Sequence, residues 1–336
     1  MSPIASATAT ATATEQDPRR SVSRGLRAEQ LALATYLDDL VRGLGSIRTQ
    51  DSADRAIHDI TTHLASVKQH VSEKHWFEVI APMCRAHKAA GLVAEDPYTA
   101  RALAKPRGFA GDAAMLDFIY SGHAPEGTSE AGQRLLTATA RSSSGLSVID
   151  RRDRLAAALR TVGTERNEAR VLAIACGHLR EAQELTPDER SSLAEIIALD
   201  QDALAIELVK REHPVAQTTA IHGNVRDLIA GRLSFKDLDL VYAAGLFDYL
   251  SDGVCVRLLG RMIDSLAPGG RLLVGNFSPV NWGRAYMDTF MDWRLIYRTP
   301  ADLRALSRQA SNGRSVRVEK VYTDDHENIA YLELVV

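Results

Sequence analysis

The segment "VLAIACGHLREAQEL", Val171 to Leu185, joins an apolar run, a single glycine and a carboxylate at a spacing that can hold a nucleoside-like ligand. Parallel sheets take such ligands in the crevice beyond the carboxyl ends of their strands, often at a glycine turn into a helix. Gly177 lets a ligand approach the backbone with no Cβ in the way, and Ala175 beside it is nearly as small. Glu181 follows as a carboxylate suited to a ligand cation. Asp200 ends the apolar run "AEIIALD", 23 residues after Gly177, and Gln201 follows it. A carboxylate at a strand tip can accept both hydroxyls of a ribose. "HGNVRDL" then offers Asn224, an amide for the edge of a base such as adenine, and Val225, an apolar cover for its face. "AAGLFDYL" places small residues, Ala244 among them, before Phe247, Asp248 and Tyr249. Plainer readings stand beside these: an ordinary turn glycine at 177, and a helix N-cap at Asp200 or Asp202 for "QDALAIELVK".

The elements that must position these residues have two grammars. From about Ser21 to Asp150 the pattern is helical. Leu31, Leu33, Tyr36, Leu37, Leu40 and Val41 recur close to a 3.6-residue period. "DSADRAIHDITTHLASVKQHV" repeats the style with Asp51 or Ser52 as N-cap, and "HWFEVIAPMCRAHKAAGL" reads as a helix that Gly91 terminates. One or two further helices are expected within 129–162. Beyond residue 165 the chain alternates strand and helix. "ARVLAIAC", "AEIIALD", "TTAIHGNV", "LDLVYAAG" and "RLLVGNF" read as strands buried on both faces, the last after the turn "APGG". "RSVRVEKVYTD" and "NIAYLELVV" have no helix between them and should pair antiparallel, giving the sheet an antiparallel edge. The fold class is therefore α/β, a Rossmann-like doubly wound sheet with a C-terminal hairpin, preceded by an all-α region.

Composition excludes several classes. The chain has 336 residues, 45% hydrophobic and 25% charged, with a net charge of -3. That length suits roughly two domains, and that charge gives no global attraction to nucleic acid or an anionic membrane. Cys84, Cys176 and Cys255 form no CxxC pair, so no zinc site or disulfide framework is indicated and a reducing, cytoplasmic setting is expected. No metal ligand set stands out. No apolar run approaches the roughly 18 residues of a membrane span. "MSPIASATATATATEQDPRR" lacks the h-region of a secretory signal and is expected to be a disordered tail, residues 1–20. Residues 21–150 are then a helical lid or substrate-side domain, and 151–336 the ligand-binding domain.

From about Ala169 onward the sequence resembles the class I S-adenosylmethionine-dependent methyltransferases, whose first strand commonly reads into Asp-x-Gly-Cys-Gly-x-Gly. Cys176 and Gly177 match, whereas Ala173 replaces the acid and Ala175 and Leu179 replace glycines. The resemblance implies S-adenosyl-L-methionine as cofactor, held by Ala175, Gly177, Glu181, Asp200, Gln201, Asn224, Val225, Ala244 and Tyr120. "KPRGFAGDAAMLDFIY", Lys105 to Tyr120, with "LAIACGHLRE" and "MDWRLIYRT", is similar to the bacterial group that includes 3-hydroxypalmitate methyl ester synthases, with His178 in place of a proline. That similarity implies O-methylation of a carboxylate or hydroxyl on a small molecule. Carbon or nitrogen methylation in a secondary-metabolite pathway remains an alternative, as does a degenerate cofactor-binding scaffold without turnover.

Asp248, Tyr249 and Tyr286 are the candidate catalytic groups. Asn276, Trp282, Trp293, Tyr297 and Arg298 are candidate substrate contacts, Arg298 as a grip for an anion. In "GFAGDAAMLDFIY" Asp112 should cap the following helix, and Asp112 and Tyr120 are also candidates for a lid. A nicotinamide enzyme would want GxGxxG at the first turn, and base amine methylation an (N/D)PP(Y/F/W) tetrad where "AGLFDY" stands, so neither is favoured. A small-molecule acceptor is the expected partner, without nucleic acid or stable membrane insertion, and self-association is left open.

Overall fold

The computed structural model describes residues 18–336 apart from 167, 214, 215 and 312, with side-chain environments from residue 30 onward except at 318 and 319. Residues 1–17, most of the expected tail, lie outside the described residues, and Pro18 already begins the first helix, Pro18–Gly45. Among the described residues no helix is long and apolar enough to cross a membrane.

Seven strands form one sheet in the order β3-β2-β1-β4-β5-β7-β6. They are β1 Ala169–Ile174, β2 Leu193–Asp200, β3 Thr218–His222, β4 Leu238–Ala243, β5 Leu266–Phe277, β6 Arg317–Thr323 and β7 Ile329–Val335. The first five pair in parallel, and β7 runs antiparallel to both β5 and β6. The hairpin is present, but its second strand inserts between β5 and its first. The antiparallel strand therefore lies one place in from the edge, and the edge strand β6 runs in the direction of the parallel set. "APGG" also differs from expectation: it is a register irregularity inside β5, with Gly269 left-handed, rather than a turn before the strand.

Alternation with period two sends the strand residues to two separate cores. Leu172, Ile174, Ile197, Leu199, Val241 and Val274 pack with the helices Asp252–Asp264 and Pro300–Ala310. Val171, Ala173, Ile196, Ala198, Leu240 and Tyr242 face the other way, into a core that continues through Leu33, Ile60, Trp76, Met115 and Leu136 of the helical half. Helix Ser143–Glu165 makes that continuity. It buries Val148, Leu155, Leu159 and Val162 along one face, and a domain boundary at residue 150 falls inside it. A helix that packs the sheet face and the helical half into one core cannot be cut there without exposing its apolar stripe.

Local chemistry sets the helix ends. Thr49, rather than Asp51 or Ser52, caps Gln50–Gln69, in a reciprocal box with Ser52. The expected "HWFEVIAPMCRAHKAAGL" helix breaks at His87, whose backbone is extended and whose ring Nδ1 accepts the Ala89 N–H at 3.2 Å. Gly91 lies inside the next segment, Lys88–Val93, and does not end it. Ser129 and Ser142 cap Glu130–Ala140 and Ser143–Glu165.

A shared core predicts cooperative unfolding. Urea melts followed by far-UV circular dichroism and by tryptophan fluorescence should coincide, and Leu159→Ala, at a fully buried position, should lower stability by about 2–5 kcal/mol in that single transition. Two separated transitions would contradict a common core.

Candidate functional site

The turn after β1 carries three left-handed residues in five: Ala175, Gly177 and Leu179, with φ of 54°, 55° and 53°. Two of them are not glycine, so the backbone keeps a glycine-rich path with L-residues on it, at roughly 1–2 kcal/mol each. Leu179 is fully buried, and that packing offsets its strain. Gly177 has a second reason to be glycine, because an added Cβ would stand 3.0 Å from the Ala113 Cβ.

Asp200, at the tip of β2, ties the turn down. Its Oδ2 accepts the Gly177 N–H and its Oδ1 the Asp202 N–H, each at 2.8 Å. Burial raises its pKa, against the pull of those amides. The N-cap of Ala203–Glu212 is Asp202, which accepts the Leu204 N–H, so Asp200 is not that cap. Glu181 is buried, and Tyr242 of β4 donates to its Oε1 at 2.6 Å. Burial raises its pKa too, opposed by Tyr242 and the nearby Arg151 and Arg152. The Asn224 side chain caps Val225–Ile229, its carbonyl accepting the Arg226 N–H at 2.8 Å, and its amide nitrogen reaches toward Gln201.

These groups line one cleft of about 540 Å³ at the carboxyl ends of β1, β2, β3 and β4, within the range of small-ligand sites. Ala175, Gly177, Glu181, Asp200, Gln201, Asn224, Val225, Ala244 and Tyr120 all border it, as do Asp248, Tyr249 and Trp293. The roof comes from the helical half: Gly108, Phe109, Gly111 and the helix Ala113–Ser121. Asp112 does not border the cleft. It caps that helix through the Met115 N–H and pairs with Arg101.

Roof and floor are joined by charge. Asp117 meets His178 Nδ1 at 2.8 Å and accepts from Arg180 at 2.7 and 2.8 Å. Burial alone would raise its pKa, but these two partners bring it to about 2. Arg107 pairs with Asp202 across the rim.

The far wall is aromatic and holds one buried acid. Asp248 is 2% exposed and accepts the Phe277 N–H at 2.6 Å. Burial pushes its pKa up to about 7, against that amide and the Arg151 and Arg298 guanidinium groups. Trp293 Nε1 donates to the Tyr249 hydroxyl at 2.8 Å. Gly111 leaves them room, since a Cβ there would lie 2.5 Å from both.

Five expected site residues lie elsewhere. Tyr286 is buried in a network with Thr99, Asp96 and Thr139, its hydroxyl 2.9 Å from Thr99 Oγ1. Trp282 packs near His58, and Tyr297 lies under the Arg284 guanidinium. Arg298 spends its donors on Asp252, Asn276 and the carbonyls of Phe247 and Leu250, which leaves none for an anion. Asn276 accepts from Arg298 and donates to the Phe277 and Ile296 carbonyls. Both are braces beneath the wall.

Several bordering charges, Asp117, Arg180 and Arg226 among them, had no place in the sequence reading, and Arg151 is the buried one. Arg151 of helix Ser143–Glu165 is 6% exposed and donates to the Ala244 carbonyl at 3.2 Å. The signal was a charge inside the apolar stripe Val148, Leu155, Leu159, Val162, hidden by the neighbouring run "RRDR".

The sheet order, the helical layers and the ligand-sized cleft at the strand ends define the architecture. The fold is Rossmann-like. The sequence matches no family model and no curated relative. Among solved structures, a possible exported protein from Bordetella parapertussis aligns with a TM-score of 0.59 at 18% identity, over 86% of this chain and 97% of that one. That likeness shows a shared fold reaching into the helical half. Magnesium protoporphyrin IX methyltransferase from Synechocystis, with bound SAH, aligns with a TM-score of 0.46 at 13% identity over 71% and 99%. The N-methyltransferase NodS from Bradyrhizobium japonicum, in complex with S-adenosyl-L-homocysteine, gives 0.39 at 15% over 54% and 85%. At such scores the last two carry no weight for function.

Two measurements check this geometry. Ala175→Gly should raise the stability by up to about 1 kcal/mol in thermal melts, since glycine relieves the left-handed strain at an exposed position bordering the cleft. Asp248 holds its proton in the folded state to about pH 7, whereas an ordinary aspartate loses it near 3.8. The folded state therefore binds the extra proton between those values, and stability should fall as pH rises from about 4 to about 7. Asp248→Asn, which keeps an acceptor for the Phe277 N–H, should remove that pH-dependent loss, on the order of 4 kcal/mol. An unchanged profile would place the carboxyl in a wetter site.

Proposed function

We propose that this chain is an S-adenosylmethionine-dependent methyltransferase acting on a small molecule, with transfer to a carboxylate or hydroxyl oxygen as the leading reading. The supporting observation is that nine residues expected to hold a nucleoside with a cationic tail border one cleft, eight of them beyond four adjacent strand ends and Tyr120 on the roof helix. The donor set suits that cofactor. Each Asp200 oxygen accepts one backbone N–H and keeps a lone pair for a ribose hydroxyl. Glu181 offers a buried carboxylate to an ammonium. Asn224 and Val225 stand where a base edge and face need an amide and an apolar cover, although the Asn224 carbonyl already has one donor. When bound, the cofactor supplies an electrophilic methyl group on a sulfonium.

The chain's own contribution is orientation and the exclusion of water. Phe109, Phe277 and Trp293 form apolar wall, and Tyr120 and Tyr249 bring hydroxyls to it. A carboxylate acceptor is already ionised at neutral pH and needs no base. For an alcohol acceptor, Asp248 is the base: its pKa near 7 keeps a useful fraction ionised while making it a better proton acceptor than an ordinary aspartate. Tyr286 takes no part in this scheme, since its hydroxyl is held away from the cleft.

Calorimetric titration with S-adenosylhomocysteine tests the proposal. Wild type should bind, and Asp200→Ala should weaken binding by about 1–3 kcal/mol through lost hydrogen bonds to the ribose. Labelled methyl should then pass to an acceptor in an extract of the native host. Binding without transfer to any acceptor would favour the scaffold reading, and no binding would sink the cofactor itself.

A further inference from the structure

We infer that Arg151 is the cleft's carboxylate receptor, and that together with Glu181 it receives the two charges of an amino-acid-like ligand end. The inference rests on the cofactor reading above and adds a subsite to it. Arginine keeps its charge in any protein environment, and a buried charge is costly unless paired. Arg151 is 94% buried by its 6% exposure, yet among the described residues it has no carboxylate within ion-pair distance. Arg226 on the cleft rim is also without an acid partner but is exposed to water, and the remaining cations are paired. Arg107 has Asp202, Arg180 has Asp117 and Glu212, and the buried Arg298 behind the wall has Asp252.

The partners Arg151 does have are neutral. It donates to the Ala244 carbonyl, lies near the Tyr120 side chain and faces the Phe277 ring at 6.0 Å. Gly245 gives the guanidinium its room: a Cβ there would lie 3.2 Å from Arg151 Nη1. The nearby acids Glu181 and Asp248 attract it across the cleft but stand beyond ion-pair distance. Glu181 is engaged by Tyr242, and Asp248 is engaged by the Phe277 N–H. A guanidinium and a carboxylate thus border one cleft without bridging each other, which is the arrangement an α-ammonium and α-carboxylate would complete. A guanidinium also binds a carboxylate through two parallel hydrogen bonds. The carboxylate could come from the amino-acid end of the cofactor or from an acceptor, and the chemistry at Arg151 is the same.

The experiment compares two nucleosides on wild type, Arg151→Gln and Arg151→Lys. S-adenosylhomocysteine carries the amino-acid end, and 5′-methylthioadenosine lacks it. We expect Arg151→Gln to weaken S-adenosylhomocysteine about 10- to 100-fold and Arg151→Lys to fall between. Binding of methylthioadenosine should stay within about two-fold of wild type, which also reports an intact cleft. Benzoate titrated into the protein loaded with S-adenosylhomocysteine serves as the acceptor probe. Loss of benzoate binding in Arg151→Gln, with S-adenosylhomocysteine unaffected, would assign the receptor to the acceptor. Equal affinities for all three ligands in wild type and variant would overturn the inference while leaving the cofactor reading standing. Equal weakening of both nucleosides would overturn it as well, since Arg151 would then be a brace for the cleft. Failure of wild type to bind either nucleoside would remove both.

Discussion

The site depends on one carboxylate. Asp200 joins the tip of β2 to the turn after β1 by accepting two backbone N–H groups, one from Gly177 and one from Asp202. Those amides belong to two different loops, so a single side chain sets how the loops approach each other. The turn it holds is under left-handed strain at Ala175 and Leu179, and such strain persists only where surrounding contacts over-determine the backbone. Here the contacts are the Asp200 bond from inside the sheet, the buried Leu179 side chain beneath, and the roof helix above. The crevice exists because all three act on the same few residues.

The helical half is part of that construction. Its core is continuous with one face of the sheet, and it lends the cleft its roof, its buried guanidinium and the acid that pairs with His178 and Arg180. The polarity of the cleft is divided accordingly. Carboxylates come from the first turn, the end of β2, the segment after β4 and the roof helix, and the buried unpaired cation comes from the helix that precedes β1. An apolar wall from β5 and the segment after it closes the remaining side.

What could be read from sequence followed the range of the interactions involved. Residues at strand ends were legible because parallel topology brings those ends together whatever their side chains are. That is why Gly177, Asp200 and Asn224 border one cleft. The segment after β5 was not legible in this way. Trp282, Tyr286, Tyr297 and Arg298 were chosen for their types, but the direction of each is set by tertiary partners: His58, Thr99, Arg284 and Asp252. Three of those partners lie far away in the chain. Arg298 illustrates the difficulty, since an arginine that grips a ligand and one that braces a wall look the same until its donors are traced. Arg151 was missed for the opposite reason: four charges in "RRDR" hide which one occupies the buried stripe.

The contact between Ala113 and Gly177 acts as a gauge for the cleft. The Ala113 methyl of the roof helix lies so close to the turn that a carbon added at Gly177 would stand only 3.0 Å from it, inside ordinary van der Waals contact. Spacing between the two halves is thus fixed by the smallest side chains available, much as a thin washer sets the gap between plates. A bulkier residue at either place would work as a shim, lifting the roof and stretching the bonds from Asp117 to His178 and Arg180.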